Sequence, residues 1–335
     1  MLEKSKNIRL NKLLNAGFFT LALGFAGCRN QTINTVYTRT NQTNSINRNL
    51  PQVVATTSIL CDLTKQIAGT SINLTCLIPP GLDPRFYQPT PEDRQAIEQA
   101  NLILYHGYNF ESGLIKIITA KQNRTRKIAV AQLAVPQPQK LRNNGQEFTE
   151  PHIWHNTKNT IQIVEIINSN LAKISPKNAK AYSSNTAKLT KELNQLNSWI
   201  KTRLDSIPTK NRKILTTHQA IIYYVKAYGF PYKGSWLNIS DEENLSNTKV
   251  KNMAKYIQKS KVITIFADTK TNSNVLEPIA KEANVKLFPR QLYIDGLGEP
   301  GSDGETYQKM MDANTRSIVE GLGGTYLKFA PNISK

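Results

Sequence analysis

Four histidines stand in this chain, His106, His152, His155 and His218, and imidazole is the side chain best suited to bind transition metals and exchange protons near neutrality. Two of the four have settings that favour ligation. His152 lies in Glu150-Pro151-His152-Ile153-Trp154, where proline stiffens the approach and bulky neighbours bury the ring. His218 follows an apolar run at 214–215 through Thr216-Thr217, at the C-terminal end of an expected strand. In open α/β sheets, ligands bind at such ends. Asp295 follows Leu292-Tyr293-Ile294 in the same way. Two imidazoles and a carboxylate at strand ends make a set suited to a divalent metal.

Motifs for other chemistry are missing. Residues 296–301 formally match G-x-G-x-x-G, but a dinucleotide fingerprint follows the first strand of a βαβ unit and opens a helix directly. Here Pro300 and Ser302-Asp303-Gly304 extend a loop instead. The chain has no G-x-S-x-G, H-E-x-x-H or phosphate-loop pattern. A hydrolase built on the two histidines and Asp295 would also need a base or nucleophile beside them. Glu299, the one candidate for that base, reads better as a structural loop residue. The expectation is a binding protein, not an enzyme.

The N-terminus sets the compartment. Lys4, Lys6, Arg9 and Lys12 precede an apolar stretch at 13–26, and Gly27-Cys28 follows. That is a secretory signal, too short to be a transmembrane span. Small residues directly before cysteine resemble a bacterial lipobox, so Cys28 is the expected lipidation site. Phe25 stands where leucine is usual, and a plain signal peptide cleaved nearby is the alternative. Half of residues 29–50 are Asn or Thr without apolar periodicity, the composition of a flexible tether. The 335 residues carry a formal charge of +19, but the basic side chains are scattered and no nucleic-acid motif accompanies them. An anionic membrane surface fits that charge better than nucleic acid. Cys61 and Cys76 are a candidate disulfide in an oxidising compartment, the alternative being two separate thiols.

The elements that must position these residues alternate. Strands are expected at 53–57, 74–78, 102–105 and 128–131, with helices at 59–68 and 91–99 between them. The rhythm returns with strands at 214–217, 232–235, 262–266 and 285–288 and helices at 220–228, 248–259 and 274–282. Strands separated by helix-length segments argue for βαβ units. Between the two halves, apolar residues recur at Ala179, Tyr182, Leu189, Leu193, Leu196, Ile200, Leu204 and Ile207, one face of a long helix. Ser175-Pro176 is its expected start and Pro208 its end. The predicted fold is α/β, with two lobes, each a parallel sheet flanked by helices, joined by one long rigid helix. The expected division is 1–28 signal and lipobox, 29–50 tether, 51–174 N-terminal lobe, 175–208 linking helix and 209–335 C-terminal lobe.

Four segments now carry a resemblance: residues 81–93 (GLDPRFYQPTPED), Glu150-Pro151-His152-Ile153-Trp154, Thr217-His218-Gln219-Ala220 and residues 295–302 (DGLGEPGS). In this order, across residues 52–325, they resemble the zinc/manganese substrate-binding proteins of ABC importers. The resemblance implies two α/β lobes with a metal clamped in the cleft, delivery to a membrane permease and no catalysis. It implies a lipid-anchored, extracytoplasmic monomer without nucleic-acid partners. His152, His218 and Asp295 match the second, third and fourth ligand positions.

The first position departs from the pattern. The family has Asp-Pro-His, and this chain has Asp83-Pro84-Arg85. A guanidinium stays protonated and has no lone pair to give. A unit charge about 5 Å from a dication, at an effective dielectric near 20, is repelled by roughly 6–7 kcal/mol. Three arrangements are open. Arg85 swings into solvent and leaves a site completed by water or by His106 or Glu111; it turns inward and pairs with Asp295 in place of the ion; or the cleft takes an anion. In the second case the protein is a degenerate receptor without metal, serving interaction or sensing. Imidazole donors favour Zn2+, with Mn2+ the other candidate. The His- and acid-rich zinc loop is missing, since 132–149 contains neither His nor Asp. Metal affinity should fall as pH drops through the histidine range.

Overall fold

A computed structural model describes residues 49–332, except 121–124, 144, 218 and 231–245. The expected signal with Cys28, nearly all of the tether, the strand at 232–235 and His218 lie outside the described residues.

The first lobe is built on strands β1 (Gln52–Ala55), β2 (Asn73–Cys76), β3 (Leu102–Tyr105) and β4 (Arg126–Ala129), all parallel, in the order β2-β1-β3-β4. Their apolar runs follow from burial on both faces. Val53, Ala55, Leu102 and Leu104 enter the main core, while Val54 and Ile103 join Ile97, Leu114 and Ile118 in a second core on the opposite face. Helix α1 (Ser58–Ala68) follows β1, capped by Thr57. Helix α2 (Pro91–Gln99) has a reciprocal capping box between Thr90 and Asp93 and proline in its first turn. Helix α3 (Ser112–Ile118) follows β3. Residues 130–131, expected in the fourth strand, open helix α4 (Val130–Ala134). Cys61 on α1 is disulfide-bonded to Cys76 at the end of β2, with Cα atoms 5.6 Å apart.

Where a metal-binding loop is missing, the chain forms an antiparallel hairpin of β5 (Lys140–Asn143) and β6 (Gln146–Thr149). Helix α5 (Thr157–Ile174), which sequence periodicity did not single out, packs along α6 (Ala179–Asp205). At 1.5 Å per residue, α6 is about 40 Å long. It buries Tyr182, Leu189, Leu193, Leu196, Ile200 and Leu204, the stripe its spacing predicts. Its start is a correction. Ser175 caps no backbone N–H with its side chain, and Pro176 opens a 3₁₀ turn, Pro176–Asn178, before the α-helix begins.

The second lobe carries α7 (Ile222–Ala227), α8 (Asn247–Ser260), α9 (Ser273–Ala283) and α10 (Tyr307–Gly321). Its described strands are short. Among the described residues, β7 (Thr264–Ile265) and β8 (Lys286–Leu287) pair as parallel strands, extended by single parallel bridges Thr216–Phe266 and Asp268–Leu292. The expected strand at 214–217 is thus one bridge beside β7. Leu215, Ile265, Ala267, Ile257, Leu276 and Ile279 form a separate core under it. Among the described residues, no helix is long and apolar enough to cross a membrane.

Candidate functional site

Three loops converge where the lobes meet. The first runs from β2 to α2 and carries Arg85. Tyr87 donates its hydroxyl to Asp93, the same carboxylate that closes the α2 capping box. The Ser112 hydroxyl donates to the Arg85 carbonyl. Within Asp83-Pro84-Arg85, the Arg85 amide donates to Asp83 Oδ1 at 2.9 Å, a local turn that aims the guanidinium.

The second loop carries His152 from β6 into the 3₁₀ turn Ile153–His155. Its anchor is Trp154, fully buried, whose carbonyl accepts from the hydroxyls of Tyr307 and Thr160. The third runs from the Asp268–Leu292 bridge to α10 and carries Asp295. Asn314 on α10 holds the Tyr293 backbone at both ends, accepting from its N–H and donating to its C=O, each at 2.8 Å. Gly298 and Gly304 lie against the Tyr293 ring, where a Cβ would come within 2.8 Å of it. The glycine run is therefore a packing device, not a phosphate cradle. Two residues of α1 hold this loop: the Ser58 hydroxyl accepts from Leu297 N–H at 3.0 Å, and the Asp62 carboxylate from Tyr307 N–H at 2.9 Å.

At the centre, His152 Nε2 lies 3.0 Å from Asp295 Oδ1, and its Nδ1 makes a short contact with Glu150 Oε1. Glu150 also accepts the His152 amide at 2.9 Å. Burial opposes charge on this ring, but the Glu150 and Asp295 carboxylates outweigh it and push its pKa up to about 9. Arg85 is turned inward. Its Nε bonds both Asp83 oxygens at 2.9 and 3.0 Å, and its Nη2 bonds Asp83 Oδ2 at 2.6 Å and Asp295 Oδ1 at 3.1 Å. Burial opposes the guanidinium charge too, and Asp83 and Asp295 override it. Lys270, half-buried, adds a second cation acting on Asp295 and Asp83. The arrangement is a chain of alternating charge: Glu150, His152, Asp295, Arg85, Asp83.

Of the residues singled out in sequence, Arg85, His152 and Asp295 are thus brought together, and His218 lies outside the described residues. Thr217 beside it donates its hydroxyl to Asp268 Oδ2 at 2.6 Å, which ties that strand end to the lobe. His106 and Glu111, considered as supplementary donors, face elsewhere. His106 Nε2 bonds the Pro151 carbonyl at 2.7 Å, and burial lowers its pKa to about 3. Glu111 accepts the Thr56 hydroxyl and the His106 amide. His155 Nε2 bonds the Ile294 carbonyl, and burial lowers its pKa to about 4. Sequence reasoning missed Glu150 as the partner of His152; the two-residue spacing across a proline was the available signal. Among the described residues, no three His, Cys, Asp or Glu side chains are grouped to hold an ion.

Two α/β lobes, a long helix and a charged centre between the lobes define the class of two-lobed substrate-binding proteins. Within that class the chain belongs to the family of the periplasmic zinc-uptake complex component A, which matches residues 53–321. It is 31% identical over 307 residues to the metal ABC transporter substrate-binding lipoprotein ScbA of Streptococcus cristatus, covering 90% of this chain and 95% of that one. Identity is also 31% over 276 residues to the manganese ABC transporter substrate-binding lipoprotein PsaA of Streptococcus mitis, covering 81% and 89%. Among solved structures, the periplasmic zinc-binding protein TroA of Treponema pallidum superposes with a TM-score of 0.71 at 26% identity, covering 82% of this chain and 99% of that one. The Mn-bound periplasmic metal-binding protein of Candidatus Liberibacter asiaticus gives 0.68 at 25%, covering 81% and 99%. By family, the chain is the substrate-binding component of a metal ABC importer.

Proposed function

We propose that this protein captures Zn2+, and less readily Mn2+, outside the plasma membrane and delivers it to its permease. His152, His218 and Asp295 are the ligands, and a lipidated Cys28 is the anchor. The working form is a monomer of an N-terminal lobe (51–174), a linking helix (175–208) and a C-terminal lobe (209–335). The observation that carries this reading is the meeting of His152 Nε2 and Asp295 Oδ1, 3.0 Å apart and 143 positions apart in sequence, in a nearly solvent-free centre. Glu150 on Nδ1 supplies the outer carboxylate that metal-binding imidazoles usually have, which orients the ring with Nε2 toward the ion.

Zinc is favoured because the set has two imidazoles to one carboxylate, and manganese prefers more oxygen. The relatives' names include both metals. The test is calorimetric titration of the chelator-stripped chain with ZnCl2 and MnCl2. One-to-one zinc binding, lost in His152→Ala and Asp295→Ala, is the expected result. Zinc binding that survives both substitutions would overturn the assignment of ligands. The degenerate-receptor alternative, favoured by the contact of Arg85 with Asp295, expects no heat from either metal.

A further inference from the structure

Arg85 reaches the carboxylate oxygen that an ion in this cleft would need. Asp295 Oδ1 accepts from His152 Nε2 at 3.0 Å and from Arg85 Nη2 at 3.1 Å. A carboxylate oxygen offers about two lone-pair directions, and these two donors take them. The guanidinium is also not a loose surface charge. Its side chain is 34% exposed, Asp295 only 5%, and three bonds to Asp83 fix its plane. Asp83 in turn binds the Arg85 amide, so the Asp-Pro-Arg turn delivers the cation to a set position. The Arg85–Asp295 pair joins two segments 210 positions apart in sequence, one from each lobe.

We propose that Arg85 is the resident cation of this site: its guanidinium and an incoming metal ion exclude one another at Asp295, and capture requires Arg85 to give up Asp295. This rests on the reading of the cleft as a metal site. Arg85 then sets the threshold of the receptor. An ion has to bind tightly enough to displace a paired guanidinium, so weak or dilute ions are refused. The apparent affinity is the intrinsic affinity multiplied by the fraction of molecules in which Arg85 has withdrawn. If that fraction is about one in a hundred, affinity is reduced about 100-fold. Asp83 steadies the latched position, holding the guanidinium through three bonds.

The experiment is calorimetric titration with ZnCl2 of the full chain in mild detergent, stripped of metal, beside Arg85→Ala, Arg85→His and Asp83→Asn. Thermal melting of each chain in chelator accompanies the titrations. Arg85→Ala should bind zinc about 100-fold more tightly than the natural chain, and Arg85→His at least as tightly. Asp83→Asn, which loosens the guanidinium and leaves His152 and Asp295 intact, should bind with intermediate affinity. The chelator-treated Arg85→Ala chain should melt below the natural one. Equal and tight binding by all four would overturn the latch and leave the receptor reading standing. Failure of every folded variant to bind, Arg85→His included, would overturn both. Should Arg85→Ala not fold, Asp83→Asn carries the comparison, and an affinity equal to that of the natural chain overturns the latch.

Discussion

Three buried histidines pack around Trp154, each ring centroid 5.1–5.6 Å from it, yet they carry different charges. His152 is gripped by two carboxylates, Glu150 and Asp295, and holds its proton up to about 9. His106 and His155 each face a single backbone carbonyl, that of Pro151 and that of Ile294, and burial keeps them neutral to about 3 and about 4. Burial is nearly complete for all three, so the difference comes from the partner. A carbonyl dipole orients a ring, whereas a carboxylate charges it. The distinction separates the ring proposed to bind the ion from the two that brace its surroundings.

Asp295→Ala is the sharpest way to break that contrast. It removes the shared carboxylate and leaves both Arg85 and His152 without it, a loss on the order of 3–5 kcal/mol for a buried pair. Urea denaturation of the metal-free chain measures it, and a loss below about 1 kcal/mol would mean that the pair is solvated in practice.

Glu150→Gln is milder. His152 keeps Asp295 but loses its other anion, so its pKa should fall from about 9 by a unit or more, each unit being about 1.4 kcal/mol. Imidazole resonances followed against pH report the value directly. An unmoved titration would assign the shift to Asp295 alone.

The smallest effect is in the pH profile of stability. His106 and His155 are neutral when folded, and the unfolded chain binds their protons below about 6.5. Their contribution is therefore full above that pH and is lost as pH falls toward about 4 and about 3. His152 has the opposite sign. Its contribution is full below about 6.5 and is lost as pH rises through about 9. Together they give a maximum near the ordinary histidine pKa. His155→Gln should lessen the acid-limb slope by up to about 1.4 kcal/mol per pH unit, the linkage of one proton, and leave the alkaline limb unchanged.

Legibility in the sequence followed the kind of force at work. The strand at 102–105 and the helix at 91–99 were placed to the residue, because an apolar Leu-Ile-Leu-Tyr run and a Thr-Pro start are local signals. The α6 stripe was equally plain. Helix α5 was not, since its β-branched run Thr160-Ile161-Gln162-Ile163-Val164 blurs helical periodicity. Among the described residues of the second lobe, the expected strands at 214–217, 262–266 and 285–288 are two-residue pairs and bridges, because pairing depends on partners far along the chain. His152 and Asp295 were readable as a pair by residue type and position. The direction of Arg85 was not. A long side chain can point into solvent or into a cleft with the same sequence around it, and the choice here rests on Asp295, 210 positions away.

Ser58 and Asp62 stand one turn apart on α1, and between them they grip the start of the glycine-rich loop at Leu297 and the head of α10 at Tyr307. That turn anchors the loop beside Asn314 on Tyr293 and His155 on Ile294, and the same helix is stapled through Cys61 to β2. A wide parting of the lobes must break these bonds together with those of His155 to Ile294 and of Tyr307 to Trp154. The proposed latch asks for less: one arginine side chain pivots while these bonds stay made.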